Sequence, residues 1–410
     1  ELFIFACSKK MSKLKILLVC EQPLPSKKRA GRPNYSVKYL SELSCDLTVI
    51  CPKSEYPKDD LANYEYINLE FKQFDVITRI KLMREMKKKI KEVVKKQRFD
   101  IIRTINIIPT YATISIKDEL NIPIYAELTD FISDLYVQFD LPFKKIAILF
   151  LKRMEKKIAK KVDYANVETE VGRDFWNDYG VDKGKVVVIP NGVDTEHFNP
   201  NKVNPKSIKE KLTLNNEVIF YHGDMGPYDG VHLLIYAMRN LKKNVSLLIV
   251  GDGKESYMNY LRYLIERYDL KKQVKLTGWI EYEELPNYIA TATLCALPLL
   301  PRTKVNQANL HTRIREYLSM CKPFLVTRTE GIFRSLGNTV MYFRDPSNVD
   351  MIAKDLDLAL KEVKNKDFSF MRNIAKKLDW KNIIYQDFKV MEAIVEGKAK
   401  DLREFDLKLN

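Results

Sequence analysis

Short apolar runs recur along the chain, each closed by turn formers and followed by a stretch with helical spacing. In the first half, strands are expected at Lys15 to Cys20, Leu47 to Cys51, Tyr66 to Leu69, Ile101 to Ile102, Ile124 to Glu127 and Tyr164 to Val167. The second half repeats the pattern at Val218 to Gly223, Ser246 to Val250, Val274 to Thr277, Leu294 to Pro298 and Phe324 to Val326. Such alternation predicts parallel sheets wrapped by helices on both faces. An α/β architecture of two doubly wound domains follows, with a ligand crevice at the carboxyl ends of their strands. Between the halves, Val186 to Ile189 reads as a strand buried on both faces, and Pro190-Asn191-Gly192 stops it. Asp194 is placed to cap a short helical turn before Pro200, so this stretch reads as a hinge. From about Lys376, the residues Leu378, Trp380, Ile383, Ile384, Phe388 and Met391 predict a terminal helix or helix pair.

A length of 410 residues suits two such domains. The net charge of +15 implies an anionic partner: nucleic acid, anionic lipid headgroups or nucleotide-sugar phosphates. The six cysteines show no paired spacing and sit in or beside apolar runs, which favours reduced core thiols in a cytoplasmic protein. The run Leu2 to Cys7 is too short for a signal segment or a membrane span, and residues 1–10 read as an extension before Met11. Two basic helices, 79–98 and 144–161, interleave lysines with apolar side chains such as Ile146, Leu149 and Phe150. That composition suits an anionic bilayer surface. No zinc spacing or RNP string is present, so nucleic acid is not the expected partner.

Several segments carry more specific information. Ile219 to Ile235 has Gly223, Gly226 and Gly230 in a strand-to-helix turn, where backbone N–H groups and a helix N-terminus favour phosphate. After it come Leu248-Ile-Val-Gly-Asp-Gly253, Val274-Lys-Leu-Thr-Gly-Trp-Ile280, Glu283 to Ala290 and Arg313-Ile-Arg-Glu-Tyr-Leu-Ser-Met-Cys-Lys-Pro323. Together with Ile189-Pro-Asn-Gly-Val-Asp194, their order resembles the GT-B glycosyltransferases of family 4 across roughly residues 14 to 395. The resemblance implies the GT-B fold, two Rossmann-like domains facing a central cleft. It divides the chain into an acceptor-binding domain at 11–190, completed by a helix at 376–410, and a nucleotide-sugar-binding domain at 191–375.

By the same resemblance, Glu316 accepts hydrogen bonds from the donor's ribose. Gly278 and Trp279 lie at the nucleotide base, and Gly223, Asp224, Thr312 and Tyr317 line the rest of the donor site. A carboxylate suits the ribose role because it accepts two hydrogen bonds. The chain also departs from the pattern. Ala308 stands where an acidic residue commonly contacts the donor sugar, leaving Asn306, Asn309 and His311 to hold its hydroxyls. Asp224 and Asp229 stand where an Arg and a Lys often neutralise the diphosphate. Arg313 is the leading substitute, with Arg302, Lys304 and Arg315 adding local charge, although Arg315 reads as a surface residue. In the first domain Thr129 replaces a usual His, and Asp130 is either a base for the acceptor hydroxyl or a helix cap. Gly31 and Arg32, in the loop Glu21 to Arg32, are candidates for phosphate or acceptor contacts.

The resulting expectation is a retaining, hexosyltransferase-type enzyme that moves a sugar from a nucleotide-sugar donor to a hydroxyl acceptor. Its acceptor is lipid-linked or a surface glycan, at the cytoplasmic face of a membrane. No DxD-type metal site is present in the sequence, and no cofactor beyond the nucleotide-sugar substrate is implied. Two alternatives are a nucleotide-sugar epimerase of the same fold and a catalytically weak partner subunit.

Overall fold

The computed structural model describes residues 13–26, 31–69, 76–137, 144–300 and 303–409. The proposed extension, residues 27–30 of the cleft loop and Arg302 lie outside them, as do the side chains of Val76, Ile77, Leu135, Val137, Val305 and Asn306. Seven strands form the first sheet: β1 (Leu14–Cys20), β2 (Cys45–Pro52), β3 (Asn63–Ile67), β4 (Ile101–Ile105), β5 (Ile124–Glu127), β6 (Tyr164–Val167) and β7 (Val186–Val188). Six form the second: β8 (Glu217–His222), β9 (Val245–Val250), β10 (Val274–Leu276), β11 (Leu294–Leu297), β12 (Phe324–Thr327) and β13 (Met341–Phe343).

Every pairing within the two sheets is parallel, in the orders 3-2-1-4-5-6-7 and 10-9-8-11-12-13. Each order reverses once, between β1 and β4 and between β8 and β11, and crevices at strand carboxyl ends open at such points. The fold is therefore the expected α/β arrangement of two doubly wound sheets. Two details differ. The third strand begins earlier, at Asn63, and leaves Leu69 outside it. β13 was not anticipated, because three residues at a sheet edge carry too little apolar periodicity to stand out.

Successive residues of β1 face opposite ways, so Ile16, Leu18 and Cys20 enter one core while Leu17 and Val19 enter another. The first core continues through the linker residues Val193 and Phe198 into the second sheet. It also takes in Trp380, Ile383, Ile384 and Phe388 of the terminal helix Trp380–Val395. This helix packs on the helix Arg32–Leu40 of the first half. Its path is set at the linker: Val193 N–H donates to Leu378 O at 2.9 Å, and Trp380 N–H donates to Val193 O at 3.2 Å. A Cβ on Gly192 would lie 2.6 Å from the Trp380 ring, so only glycine lets the helix cross here. Asp194 caps the next turn as expected, accepting from Glu196 N and His197 N at 3.1 and 3.0 Å. The five described cysteines are free.

Polar side chains fasten the terminal helix as well. Asp387 is buried and accepts from Arg103 Nε at 3.0 Å and from the Tyr125 hydroxyl at 2.8 Å. Arg103 donates further to Asn166 Oδ1 at 2.6 Å. Removing one partner of a buried ion pair leaves the other charge uncompensated. Asp387→Ala is accordingly expected to lower unfolding free energy by about 3–5 kcal/mol, read from urea denaturation. Lys366→Ala, which breaks the exposed pair with Glu362, should leave the urea midpoint where it was.

Candidate functional site

A cavity of about 170 Å³ lies where the two halves, the linker and the terminal helix meet. Gly31 and Arg32 border it from the first half, Asn191 and Asp194 from the linker, Thr312, Arg315 and Glu316 from the second half, and Trp380 from the terminal helix. Gly31, at the N-terminus of the helix Arg32–Leu40, is extended. Most of the Arg32 guanidinium is already engaged. It pairs with Glu127 at 3.1 Å and donates to Asn191 Oδ1 at 3.2 Å, Ile189 O at 3.0 Å and Pro190 O at 2.9 Å.

Glu316 is buried on the helix Thr312–Ser319, where its Oε2 accepts from His222 Nε2 at 2.6 Å. His222, the last residue of β8, meets the Tyr317 hydroxyl through Nδ1 at 3.1 Å. One turn earlier, Arg313 donates to the Tyr221 hydroxyl at 2.5 Å and pairs with Asp229 at 2.9 Å. Its Nη2 also reaches the Asp224 carbonyl at 3.5 Å, while the Asp224 residue itself is exposed. Gly223, at φ +120°, leaves the room for this: a Cβ there would stand 2.7 Å from Arg313 Nε. The cation proposed to offset the acidic turn thus sits against that turn and already neutralises one of its carboxylates.

Across the interface, Asn309 Nδ2 donates to Asp130 Oδ1 at 3.4 Å, and Thr129 beside it is buried. No Asp130 side-chain cap occurs among the hydrogen bonds of the described residues, so the helix-cap reading finds no support. Burial first, and then the charges of Glu168, Glu127 and Glu21, push its carboxyl up to about 7. These carboxylates do not converge as metal ligands among the described residues. His311 precedes the helix Thr312–Ser319; burial and the neighbouring Arg313 and Arg315 push its imidazole down to about 3, so it is neutral at physiological pH. Ala308 is buried, and its carbonyl accepts from the Thr169 hydroxyl at 2.6 Å.

One expectation is corrected. Arg315 is not a surface charge: it is 2% exposed, pairs with Glu168 of the first half, and donates to Leu310 O at 2.7 Å and Thr312 Oγ1 at 2.9 Å. Its partner lies far away in sequence, so nothing local marks it. Gly278 and Trp279 do not join the cavity. Gly278 turns the chain at φ +72° and accepts from Gly251 N at 2.9 Å, while Trp279 is 68% exposed over a separate groove beside Lys211 and Tyr288. Sequence reasoning missed His222, Tyr221 and Asn191, although strand ends at the switch point are where ligand contacts collect.

Two family models divide this chain between them. The model described as Glycosyltransferase Family 4 matches residues 35–197, and that described as Glycosyl transferases group 1 matches residues 204–377. The chain belongs to the GT-B glycosyltransferases of family 4, group 1. A UDP-Gal:alpha-D-GlcNAc-diphosphoundecaprenol alpha-1,3-galactosyltransferase of Escherichia coli is 35% identical over 29% of this family 4 chain and 32% of its own length. A Corynebacterium glutamicum GDP-mannose-dependent monoacylated alpha-(1-6)-phosphatidylinositol monomannoside mannosyltransferase is 33% identical over 28% of the chain and 30% of its own. A Salmonella typhimurium lipopolysaccharide 1,2-N-acetylglucosaminetransferase is 24% identical over 48% and 54%. The chain thus spans about a third to a half of the length of these curated relatives.

Among solved structures, sucrose-phosphate synthase from Thermosynechococcus elongatus superposes with a TM-score of 0.77 at 14% identity, covering 94% of this chain and 100% of that one. HepE of Anabaena in complex with UDP-glucose gives 0.68 at 16% identity, covering 93% and 100%. At such identities the likeness establishes the fold.

The Asp130 environment makes a prediction about pH. The folded carboxyl holds its proton up to about pH 7, whereas an unfolded aspartate releases it near about pH 3.9. Between these values the folded state binds more protons, so this group's contribution to stability falls as pH rises from about 4 to about 7. Asp130→Asn should flatten that part of the curve when chemical denaturation is followed across the same range.

Proposed function

We propose that this family 4 chain transfers a sugar from a nucleotide-sugar donor to a hydroxyl of a lipid-linked or surface-glycan acceptor, with retention at the anomeric carbon. One observation carries the reading: Arg313 and Glu316 lie one turn apart on the helix Thr312–Ser319, and both are held by consecutive residues at the end of β8. An arginine and a carboxylate at that spacing match a diphosphate and the ribose next to it. As the C1–O bond to the diphosphate breaks, the leaving group takes the electron pair, and Arg313 stabilises the charge it acquires. The acceptor oxygen then bonds to C1 on the face the diphosphate leaves. Asp130, across the interface and titrating near neutrality, takes the acceptor proton. Protein groups perform each of these tasks, with no metal or cofactor assigned a part. Contact between the halves keeps water from the donor.

Nucleoside diphosphates should raise the melting temperature of the wild-type protein selectively, and Glu316→Ala and Arg313→Ala should each abolish the shift. No shift from UDP, GDP, ADP or CDP with a folded protein would move the reading to a catalytically weak partner subunit. The burial of Ala308 against Thr169, which leaves no carboxylate at the donor-sugar position, favours that second reading.

The acceptor side of the reading rests on the first half. Its helices Val76–Lys96 and Lys144–Lys161 flank the helix Ile107–Ile114, and Lys87 and Lys157 both lie over the Tyr111 ring, at 5.6 and 5.3 Å. Their basic faces therefore adjoin. Ile146, Leu149 and Phe150 are 67%, 50% and 51% exposed, beside Lys145, Lys152 and Arg153. Apolar side chains rimmed by cations suit the interface of an anionic bilayer. No helix among the described residues is long and apolar enough to cross a membrane. Diphosphoundecaprenol and phosphatidylinositol in the names of two relatives favour an acceptor held at such a surface. Replacing Leu149 and Phe150 together by Glu should reduce cosedimentation with phosphatidylglycerol vesicles by at least about tenfold and leave the nucleotide-induced melting shift intact.

A further inference from the structure

His222, which holds Glu316, is buried at the carboxyl end of the strand where the second sheet reverses order. A carboxylate can only accept, so the 2.6 Å contact with Glu316 Oε2 fixes the proton on His222 Nε2. The other ring nitrogen meets the Tyr317 hydroxyl at 3.1 Å, and Tyr317 is fully buried. In the tautomer protonated at Nε2 alone, Nδ1 accepts from this hydroxyl. Tyr317 thereby orients the ring, and the ring orients the carboxylate.

Only one oxygen of Glu316 is held in this way. Oε1 makes no hydrogen bond among the described residues, and Glu316 borders the cavity between the halves. A carboxylate free to rotate would divide its time among orientations, losing entropy when it closes on a ligand. One oxygen pinned by a buried donor presents the other in a single direction.

We propose that His222 is a positioning residue: with Tyr317 it fixes the Glu316 carboxylate so that Oε1 reads the ribose hydroxyls of the nucleotide donor, setting preference for ribose over deoxyribose. This rests on the donor role of Glu316 proposed above. Arg313 reads the diphosphate independently, so His222 governs the sugar preference and contributes little to phosphate affinity. The chemistry favours such a division because a site built to pair a hydroxyl discriminates strongly against an analogue that lacks it.

The test is calorimetric binding of the nucleoside diphosphate that stabilises the wild type, compared with its 2′,3′-dideoxy analogue. Wild type is expected to prefer the ribonucleotide by at least about tenfold. His222→Leu should bring the two affinities together by weakening ribonucleotide binding while leaving the dideoxy compound's Kd within about twofold. His222→Gln, whose amide retains a donor, should restore part of the preference, and Tyr317→Phe should fall between wild type and the Leu variant. Melting temperatures measured alongside identify any variant that fails to fold, in which case the Gln and Phe variants decide. Equal loss of affinity for both ligands in folded His222→Leu would mean that the residue only supports the fold, and the proposal would be overturned. An unchanged preference would overturn it as well. Wild type that binds a nucleoside diphosphate without preferring ribose would sink the proposal at Glu316 while sparing Arg313. Wild type that binds none of the panel would remove the donor reading itself.

Discussion

Burying two arginines among carboxylates in a sheet interior is costly unless each charge finds a partner, and that constraint organises this molecule. Arg103 stands on β4 and Arg32 opens the first helix, and neither is more than 3% exposed. Between them lie Glu127 at the end of β5 and Asp387 of the terminal helix. Asp387 comes from the far end of the chain, so the first sheet's charge balance is incomplete until the terminal helix returns. The chain crosses back because apolar packing and the linker bridge at Val193 bring it there, and the ion pairs fix its register. Arg32 also donates through Nε and Nη2 to Asn191 and to the carbonyls of Ile189 and Pro190, leaving Nη1 without a hydrogen-bond partner. One guanidinium thereby ties the sheet to the linker that positions the second half.

From that anchor the site geometry follows in short steps. Asn191, held by Arg32, also donates to Glu168 at 3.2 Å, and Glu168 receives Arg315 from the second half. Arg315 shares a helix with Arg313 and Glu316, so the helix that presents the candidate donor contacts is itself positioned by a charge on the opposite half. On its other side the helix is stitched to β8 through Tyr221 and His222. A helix fixed at both faces holds its side chains in one geometry, as recognition of an extended ligand requires.

Fold class, most of the strands, the linker stop and the terminal helix were legible because each leaves a local mark: a buried apolar run, a Pro-Asn-Gly stop, a helical period. The order of strands in each sheet leaves none, and the return of the terminal helix to the first half came from the family resemblance. Individual charges were not legible either. Arg315 and Arg313 are both arginines in one helix and look alike in sequence. What separates them is Glu168 on one side and Asp229 on the other, and only the tertiary structure supplies those partners. Trp279 is a different case. It follows a glycine turn close to the expected base position, yet its ring emerges over a different groove. His222 stood in plain view before Gly223, but a lone histidine at a strand end carries no signature until Glu316 is folded against it.

The contacts across the interface also bear on the titration of Asp130. Its carboxyl is held up by burial and by the charges of Glu168, Glu127 and Glu21, while the Asn309 hydrogen bond pulls the other way. Two of those carboxylates are themselves paired with arginine, Glu127 with Arg32 and Glu168 with Arg315. The first pair lies within the half that carries Asp130, and the second spans the halves. Separating the halves would withdraw Arg315 from Glu168 and Asn309 from Asp130 together. Both losses favour the protonated acid, through a bare neighbouring charge and through a missing donor. Separation would also let water reach the carboxyl, and burial is the largest of the effects that hold its proton, so contact between the halves acts on Asp130 in both directions.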